Sequence, residues 1–261
     1  MDVRAALSAF ARAAWQRSRT ARLEVFSLAG LLVVLLAVLA FGQLGMEVLE
    51  GDTSAFDHAV LLALRDPLDH TQLIGPAWLP GVAVEVTSLG GPAVLTFVTF
   101  AIGGYLLVIR QWRTAALIGL SVAGGSLLST WLKLAFDRQR PELALHAVAA
   151  ASASFPSGHA MLSAVTYLTV GGLLMRAHRS TGAKVYVFAV AVLLTVAIGV
   201  SRVYLGVHWP TDVLAGWCAG ATWALLFLLI AVWLDRWRGV DGASLSQDAC
   251  TGSTLRPRDQ P

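Results

Sequence analysis

A chain of 261 residues that is 56% hydrophobic and only 13% charged lacks the polar residues to coat a water-soluble surface, since a soluble domain carries about 25% charge. The mean hydropathy of +0.68 excludes intrinsic disorder, two cysteines exclude a disulfide scaffold, and a net charge of +3 gives no reason to expect a nucleic-acid partner. Lipid is the expected solvent.

Residues 1–24 are Arg-rich and almost free of acid, and are expected to form a cytoplasmic interfacial segment. The apolar run behind them is too long for a signal peptide and has no obvious cleavage site. A bilayer core about 30 Å thick needs about 20 mostly apolar residues per spanning helix. Six runs qualify: Val25–Leu44, Pro92–Ile109, Thr114–Leu134, Ala160–Met175, Val185–Val200 and Val213–Leu234. None alternates like a barrel strand. The expected fold is all-α, an integral membrane bundle of six transmembrane helices over residues 25–238 with an amphipathic helix on its outer face. That extra helix lies in the long loop Gln43–Gly91, with Ser54 as cap, Asp57 three residues on, and Phe56, Val60, Leu61 and Leu64 on one face. It would cover the bundle or line the route by which a lipid enters. Residues 239–261 read as a disordered cytoplasmic tail. Cys218 sits in an apolar run and Cys250 in that tail, so no bridge between them is expected.

The positive-inside rule orients the bundle. With both termini cytoplasmic, fourteen of the nineteen Lys and Arg fall inside. The five left outside are Arg65, Lys133, Arg138, Arg140 and Arg202. Each is either a snorkelling anchor or held by something else.

Three polar stretches lie at the outer ends of the spans: K-L-A-F-D-R-Q-R-P from Lys133, P-S-G-H from Pro156, and S-R-V-Y-L-G-V-H-W-P-T-D from Ser201. At one depth they can meet. Lys133, Arg140 and Arg202 then make a cationic pocket suited to phosphate oxygens. Ser157 is placed to cap the helix beginning at Gly158, whose free N–H groups form an anion site. His208 and Asp212 are four apart. They share a helix face if the helix includes His208, or Asp212 reaches back if it starts at Pro210. An Asp bonded to one imidazole nitrogen makes the other a better nucleophile. His159 would serve as general acid toward the leaving oxygen. The set points to phosphoryl transfer through a phosphohistidine. Zinc on His159, His208 and Asp212 is disfavoured by the three cations, so no metal and no cofactor is expected. A proton pathway is disfavoured because the charges sit at one face.

His58, His70, His146 and His178 are expected to be solvated surface residues. Asp137 and Arg138 are expected to pair only with each other, and Tyr204 and Trp209 to anchor the membrane interface. Ser121, Gly124, Gly125 and Ser126 read as close helix packing.

The three stretches resemble the type 2 phosphatidic acid phosphatase family, whose phosphate site is shared with the vanadium haloperoxidases. The family pattern K-x6-R-P, P-S-G-H, S-R-x5-H-x3-D is met at Lys133…Arg140-Pro141, Pro156-Ser157-Gly158-His159 and Ser201-Arg202…His208…Asp212, with no departure. The resemblance runs from about Glu85 to Leu234. It implies a six-helix bundle, no metal, a nucleophilic histidine at His208, and phosphate binding by Lys133, Arg140, Ser157, Gly158, His159 and Arg202. The implied protein is a multi-pass enzyme of the cell (inner) membrane, hydrolysing a lipid phosphate or diphosphate at the extracytoplasmic face. Undecaprenyl diphosphate is slightly favoured over phosphatidic acid, phosphatidylglycerophosphate and lipid A phosphate, by analogy alone. The rival readings are a phosphatase or phosphotransferase for a soluble ester and a non-catalytic lipid-phosphate transporter. The oligomeric state is left open.

Overall fold

The computed structural model of the chain describes residues 3–142, 145–148 and 152–252, with side chains at 24–25, 27–142, 145–148 and 152–235. The side chains of Arg4, Arg12, Arg17, Arg19, Arg22, Arg236, Arg238 and Cys250, together with Arg256 and Arg258, lie outside the described residues. Nine α-helices are present among the described residues: α1 (Val3–Glu50), α2 (Ser54–Leu62), α3 (Leu79–Ser88), α4 (Pro92–Val108), α5 (Trp112–Phe136), α6 (Gly158–Ser163), α7 (Thr169–Ala177), α8 (Thr181–Tyr204) and α9 (Pro210–Gly252). No strand forms among them; Arg65 and Leu73 make an isolated antiparallel bridge.

The membrane bundle follows the six apolar runs, with three differences. The interfacial segment and the first span are one helix, α1, because Val3–Ala29 holds neither Gly nor Pro and is rich in Ala and Arg. The second span is a broken pair. Helix α3 meets α4 at 48° across Gly90-Gly91. At ten residues α3 is too short to span a bilayer alone, so length and composition by themselves place it in the loop Gln43–Gly91. At the other end, α9 runs to Gly252, so the tail expected to be disordered from Gly239 is helical as far as Gly252. No proline interrupts the chain between Pro210 and Pro257, and extending an existing helix is easier than nucleating one.

The fourth span, α6–α7 joined by a π-helical turn at Ala164–Leu168, is the centre of the bundle. It is 61% buried, against 6% to 33% for the other single-helix spans. Those turn large apolar side chains outward, among them Leu127 and Leu193, as do Phe97 and Phe100 of α4. Such a surface suits lipid, not water. Gly216 and Gly220 let α9 lie close against α6; a Cβ at Gly216 would stand 2.8 Å from the Ser157 carbonyl oxygen.

Helix α2 lies over one end of the bundle. Ser54 begins it and does not cap it; Thr53 precedes it, and no side-chain cap bond forms. Its inner face is Asp57 and Leu61, both fully buried, while Phe56 points outward at 52% exposure. The chain beyond α2 clasps the turn between α8 and α9. Arg65, 2% exposed, donates from Nη1 to the Tyr204 carbonyl at 2.9 Å and from Nη2 to the Leu145 carbonyl at 3.0 Å. Tyr204 donates its hydroxyl to Ile74 O at 2.8 Å. It is therefore a buried strut and not a membrane anchor. Gly206 makes this fit possible: its φ is +73°, and a Cβ there would collide with Leu145 O and the Arg65 guanidinium.

Candidate active site

Four segments converge at the end of the bundle under α2. The first leaves α5. Lys133 is in its last turn, and Asp137 ends the helix in a left-handed conformation (φ 40°) that Asp tolerates better than most residues. The second, 152–157, enters α6, with Ser157 in the N-cap position. The third is the last turn of α8, bearing Arg202, and the fourth is the turn into α9, bearing His208.

A cavity of ≈ 420 Å³ opens where they meet. Lys133, Arg140, Gly158, His159, Arg202 and His208 line it together. Asp212 stands behind His208, and Ser157 lies outside the lining.

Helix α9 starts at Pro210, with Trp209 as its cap: the Asp212 and Val213 N–H groups donate to Trp209 O at 3.1 and 3.3 Å. His208 hangs just before the helix and Asp212 reaches back. Its Oδ2 lies 3.5 Å from His208 Nδ1 and accepts from Trp209 N at 2.9 Å and from the Ser154 hydroxyl. The Trp209 bond is the return half of a capping box. On the other side of the ring, His208 Nε2 is 3.1 Å from Arg140 Nη1. Arginine only donates and a carboxylate only accepts, so the proton belongs on Nδ1 and the lone pair on Nε2, which faces the cavity. Burial pulls the His208 imidazole down to about 3; Asp212 pulls the other way, and Arg140 and Arg202 add to burial. The ring is neutral at neutral pH.

The cations are held mainly by neutral groups. Arg140 donates from Nε to Ser152 O at 2.6 Å, from Nη1 to Val207 O at 2.6 Å and from Nη2 to Ser152 Oγ at 3.2 Å. Lys133 Nζ donates to Ala153 O at 2.5 Å and Ser152 Oγ at 3.3 Å. Arg202 Nη1 donates to Thr87 Oγ1 at 3.3 Å, which ties the broken second span to the site. Burial lowers Arg140 from its ordinary value, with Asp212 opposing. Two buried atoms of the expected phosphate set, Ser157 Oγ and Arg202 Nε, have no protein partner. Ser157 thus occupies the cap position without capping through its side chain. Its N–H donates to the Asp212 carbonyl at 2.9 Å.

His159 projects toward the break in the second span: a Cβ on Gly90 would be 3.5 Å from its Cδ2, and one on Gly91 3.9 Å from its Nε2. Among the described residues no group of three or more His, Cys, Asp or Glu is arranged to hold a metal ion.

Several expectations fail here. Asp137 and Arg138 do not pair. Arg138 bonds Asp212 Oδ1 from Nη1 at 2.6 Å and Asp57 Oδ2 from Nη2 at 2.7 Å, because the left-handed turn at Asp137 directs the chain back over the bundle. None of the five outer cations is fully exposed, and none is a simple snorkelling anchor: each reaches a protein acceptor. Trp209 packs against His58 in a tilted pair, with ring centroids 4.7 Å apart, and lies under the Arg138 guanidinium at 5.8 Å. His146 is half-buried with an unpartnered Nε2, and burial lowers its pKa. His58, His70 and His178 are exposed. Sequence reasoning also missed Ser152, Ser154 and Asp57. Ser152 and Ser154 had a signal, being polar residues just ahead of P-S-G-H in an apolar chain; so did Arg138, one of the five cations that the positive-inside rule sets apart from the other fourteen. Asp57 was read only as part of a helix start.

The sequence profile of the PAP2 superfamily matches residues 114–236. Phosphatidylglycerophosphatase B of Bacillus subtilis (strain 168) is 36% identical over 160 residues, covering 60% of this chain and 76% of that protein. Decaprenylphosphoryl-5-phosphoribose phosphatase of Mycobacterium tuberculosis (strain ATCC 25618 / H37Rv) is 30% identical over 148 residues, 55% of this chain and 77% of that one. The crystal structure of a transmembrane PAP2-type phosphatidylglycerolphosphate phosphatase from Bacillus subtilis superposes with a TM-score of 0.64 at 29% identity, covering 80% of this chain and 96% of that chain. The fold is that of a multi-pass membrane phosphatase. The chain belongs to the PAP2 superfamily.

Proposed function

We propose that this phosphatase hydrolyses a phosphate or diphosphate carried on a membrane lipid, without a metal, through a phosphohistidine on His208. The observation that carries the reading is the single cavity that collects Lys133, Arg140, Gly158, His159, Arg202 and His208. A phosphate there meets three cations and the start of α6. Its oxygens also suit the buried Ser157 hydroxyl and Arg202 Nε, polar atoms that an oxyanion would satisfy. As the anion enters, its oxygen draws the Arg140 Nη1 hydrogen bond away from His208 Nε2 while the guanidinium stays held by Ser152 O and Val207 O. Nε2 attacks phosphorus, the bond from phosphorus to the leaving oxygen breaks, and His159 gives that oxygen a proton. Water then gives a proton to His159 and attacks phosphorus. The P–N bond breaks, inorganic phosphate leaves and the imidazole is restored. Asp212 holds the ring and its Nδ1 proton throughout.

A lipid is favoured by position. Pro92 of α4 and Ser126 and Thr130 of α5 form one cavity wall, and both helices present apolar side chains to the bilayer. A headgroup reaches the cations while its tail stays among hydrocarbon. The two relatives carry the names of a glycerophospholipid phosphate and a prenyl-linked ribose phosphate; what those substrates share is a phosphate on a lipid. The site end is read as extracytoplasmic, with both termini in the cytoplasm of the cell membrane. Arg110, Arg113, Arg176, Arg179 and Lys184 sit at or beside the opposite loops.

Purified protein in mixed micelles is expected to release phosphate from phosphatidylglycerophosphate, phosphatidic acid or undecaprenyl diphosphate faster than from soluble esters. Orthovanadate, a mimic of five-coordinate phosphorus, is expected to inhibit, and EDTA to leave turnover unchanged. Cleavage of soluble esters alone would move the substrate out of the membrane, and no release from any substrate would mean a carrier. Within the reading, Arg202→Met is expected to lower kcat by about 10²–10³-fold, the usual loss when one preorganised donor to a reacting oxyanion is removed. Steady-state kinetics on the best lipid checks it.

A further inference from the structure

We propose that Asp57 is a positioning residue: from the outer helix α2 it fixes Arg138 and the first turn of α9, and through them the carboxylate that orients His208. The inference rests on the phosphohistidine reading above and concerns residues outside its set. Asp57 accepts from Thr211 N at 3.0 Å and Thr211 Oγ1 at 2.7 Å, so it caps α9 from another helix. It also accepts from Arg138 Nη2 at 2.7 Å, while Arg138 Nη1 donates to Asp212 Oδ1 at 2.6 Å and to Thr211 Oγ1 at 2.9 Å. One guanidinium fork therefore spans two carboxylates, and the side chains of Asp57 and Asp212 are 1% and 0% exposed. With Oδ1 of Asp212 occupied by Arg138, its Oδ2 is left for Ser154, Trp209 N and His208.

Stability alone does not call for this arrangement. Desolvating charges is costly, and well-packed apolar residues of similar volume are often as stabilising as a buried ion network. Leu61, one turn along on the same face of α2, is such a residue. What a carboxylate at Asp57 adds is direction: it stops the Arg138 fork from rotating and holds α9 at its start. A small rotation of Asp212 would move the imidazole off line, and misplacements of about 1 Å cost about 100-fold in rate.

The test is single turnover with purified enzyme in excess and saturating over a lipid phosphate. Under these conditions the rate constant reports the competent sites and is insensitive to a dead fraction. Asp57→Asn is expected to lower that rate constant about 10–100-fold, with the half-saturating enzyme concentration unchanged after correction for active protein. Asp57→Glu, which restores the charge on a longer arm, is expected to recover part of the rate and remains informative if the Asn variant fails to fold. A wild-type rate constant in Asp57→Asn, or in Asp57→Glu if only that variant folds, overturns the proposal and leaves Asp57 a structural cap. His208→Ala is run alongside. If it turns over, the phosphohistidine reading fails and takes this inference with it. If it is dead while Asp57→Asn is normal, only the inference falls.

Discussion

Replacing His208 with alanine is expected to abolish phosphate release, a loss of about 10⁴-fold or more, since deleting a nucleophile alone costs nearly as much as deleting its whole catalytic set. The His208 imidazole is the cavity group whose lone pair faces the phosphate site with a carboxylate behind the ring to take up the charge it develops. The serine and threonine hydroxyls of the lining have no base against them. The pKa of about 3 sets the sign of the pH dependence. A lowered pKa keeps the base form in place as pH falls, so His208 stays competent at every pH above that value. Any acid loss of kcat/KM above about pH 5 then belongs to the substrate phosphate, since protonation only populates the acid form of His159 that the first step uses. Phosphate release, together with rapid-quench trapping of an acid-labile phosphoenzyme in the wild type and not in the variant, checks the assignment. The variant is expected to remain folded and inserted, because the Arg65 and Tyr204 struts that hold the turn do not involve the ring.

Asp212→Asn is the second large effect, expected at about 10⁴-fold in kcat with KM little changed. The carboxylate is surrounded by donors: Arg138 on Oδ1, and Ser154, Trp209 N–H and His208 Nδ1 around Oδ2. An asparagine has one oxygen for two sets of donors. If its NH₂ faces Arg138, two N–H groups oppose each other. If it faces His208, the ring is driven to the other tautomer and Nε2 loses its lone pair. Because Asp212 pulls the His208 pKa upward, removing its charge does not shift the acid limb toward neutrality. The loss should therefore appear as a uniform drop across the pH profile, measurable as kcat from pH 5 to 9.

What was legible in the sequence is what lies along the chain. Six apolar runs give six spans because spanning a bilayer depends on length and composition alone. Lys133, Arg140, Gly158, His159, Arg202 and His208 could be placed together because each sits at a span end, and span ends share a depth. The break at Gly90-Gly91 was read as the edge of a loop, since ten residues of α3 do not reach across a membrane unless α4 is added. Asp57 and Arg138 escaped for a different reason. Their pairing joins positions 81 residues apart through a side-chain direction that no periodicity encodes. Arg138 and Asp137 looked like neighbours in balance; the left-handed turn between them and the helix sends them to different places.

Arg138 and Arg140, two residues apart, are anchored in opposite ways. Arg138 is matched by two carboxylates, so its charge is cancelled where it stands. Arg140 is gripped by the Ser152 and Val207 carbonyls, which immobilise the guanidinium and leave its full positive charge uncompensated by any first-contact acid. An arginine side chain has about 2 kcal/mol of rotamer entropy to lose, and here the loss is taken during folding. The arriving anion therefore meets a cation that is already frozen in place and still electrostatically hungry.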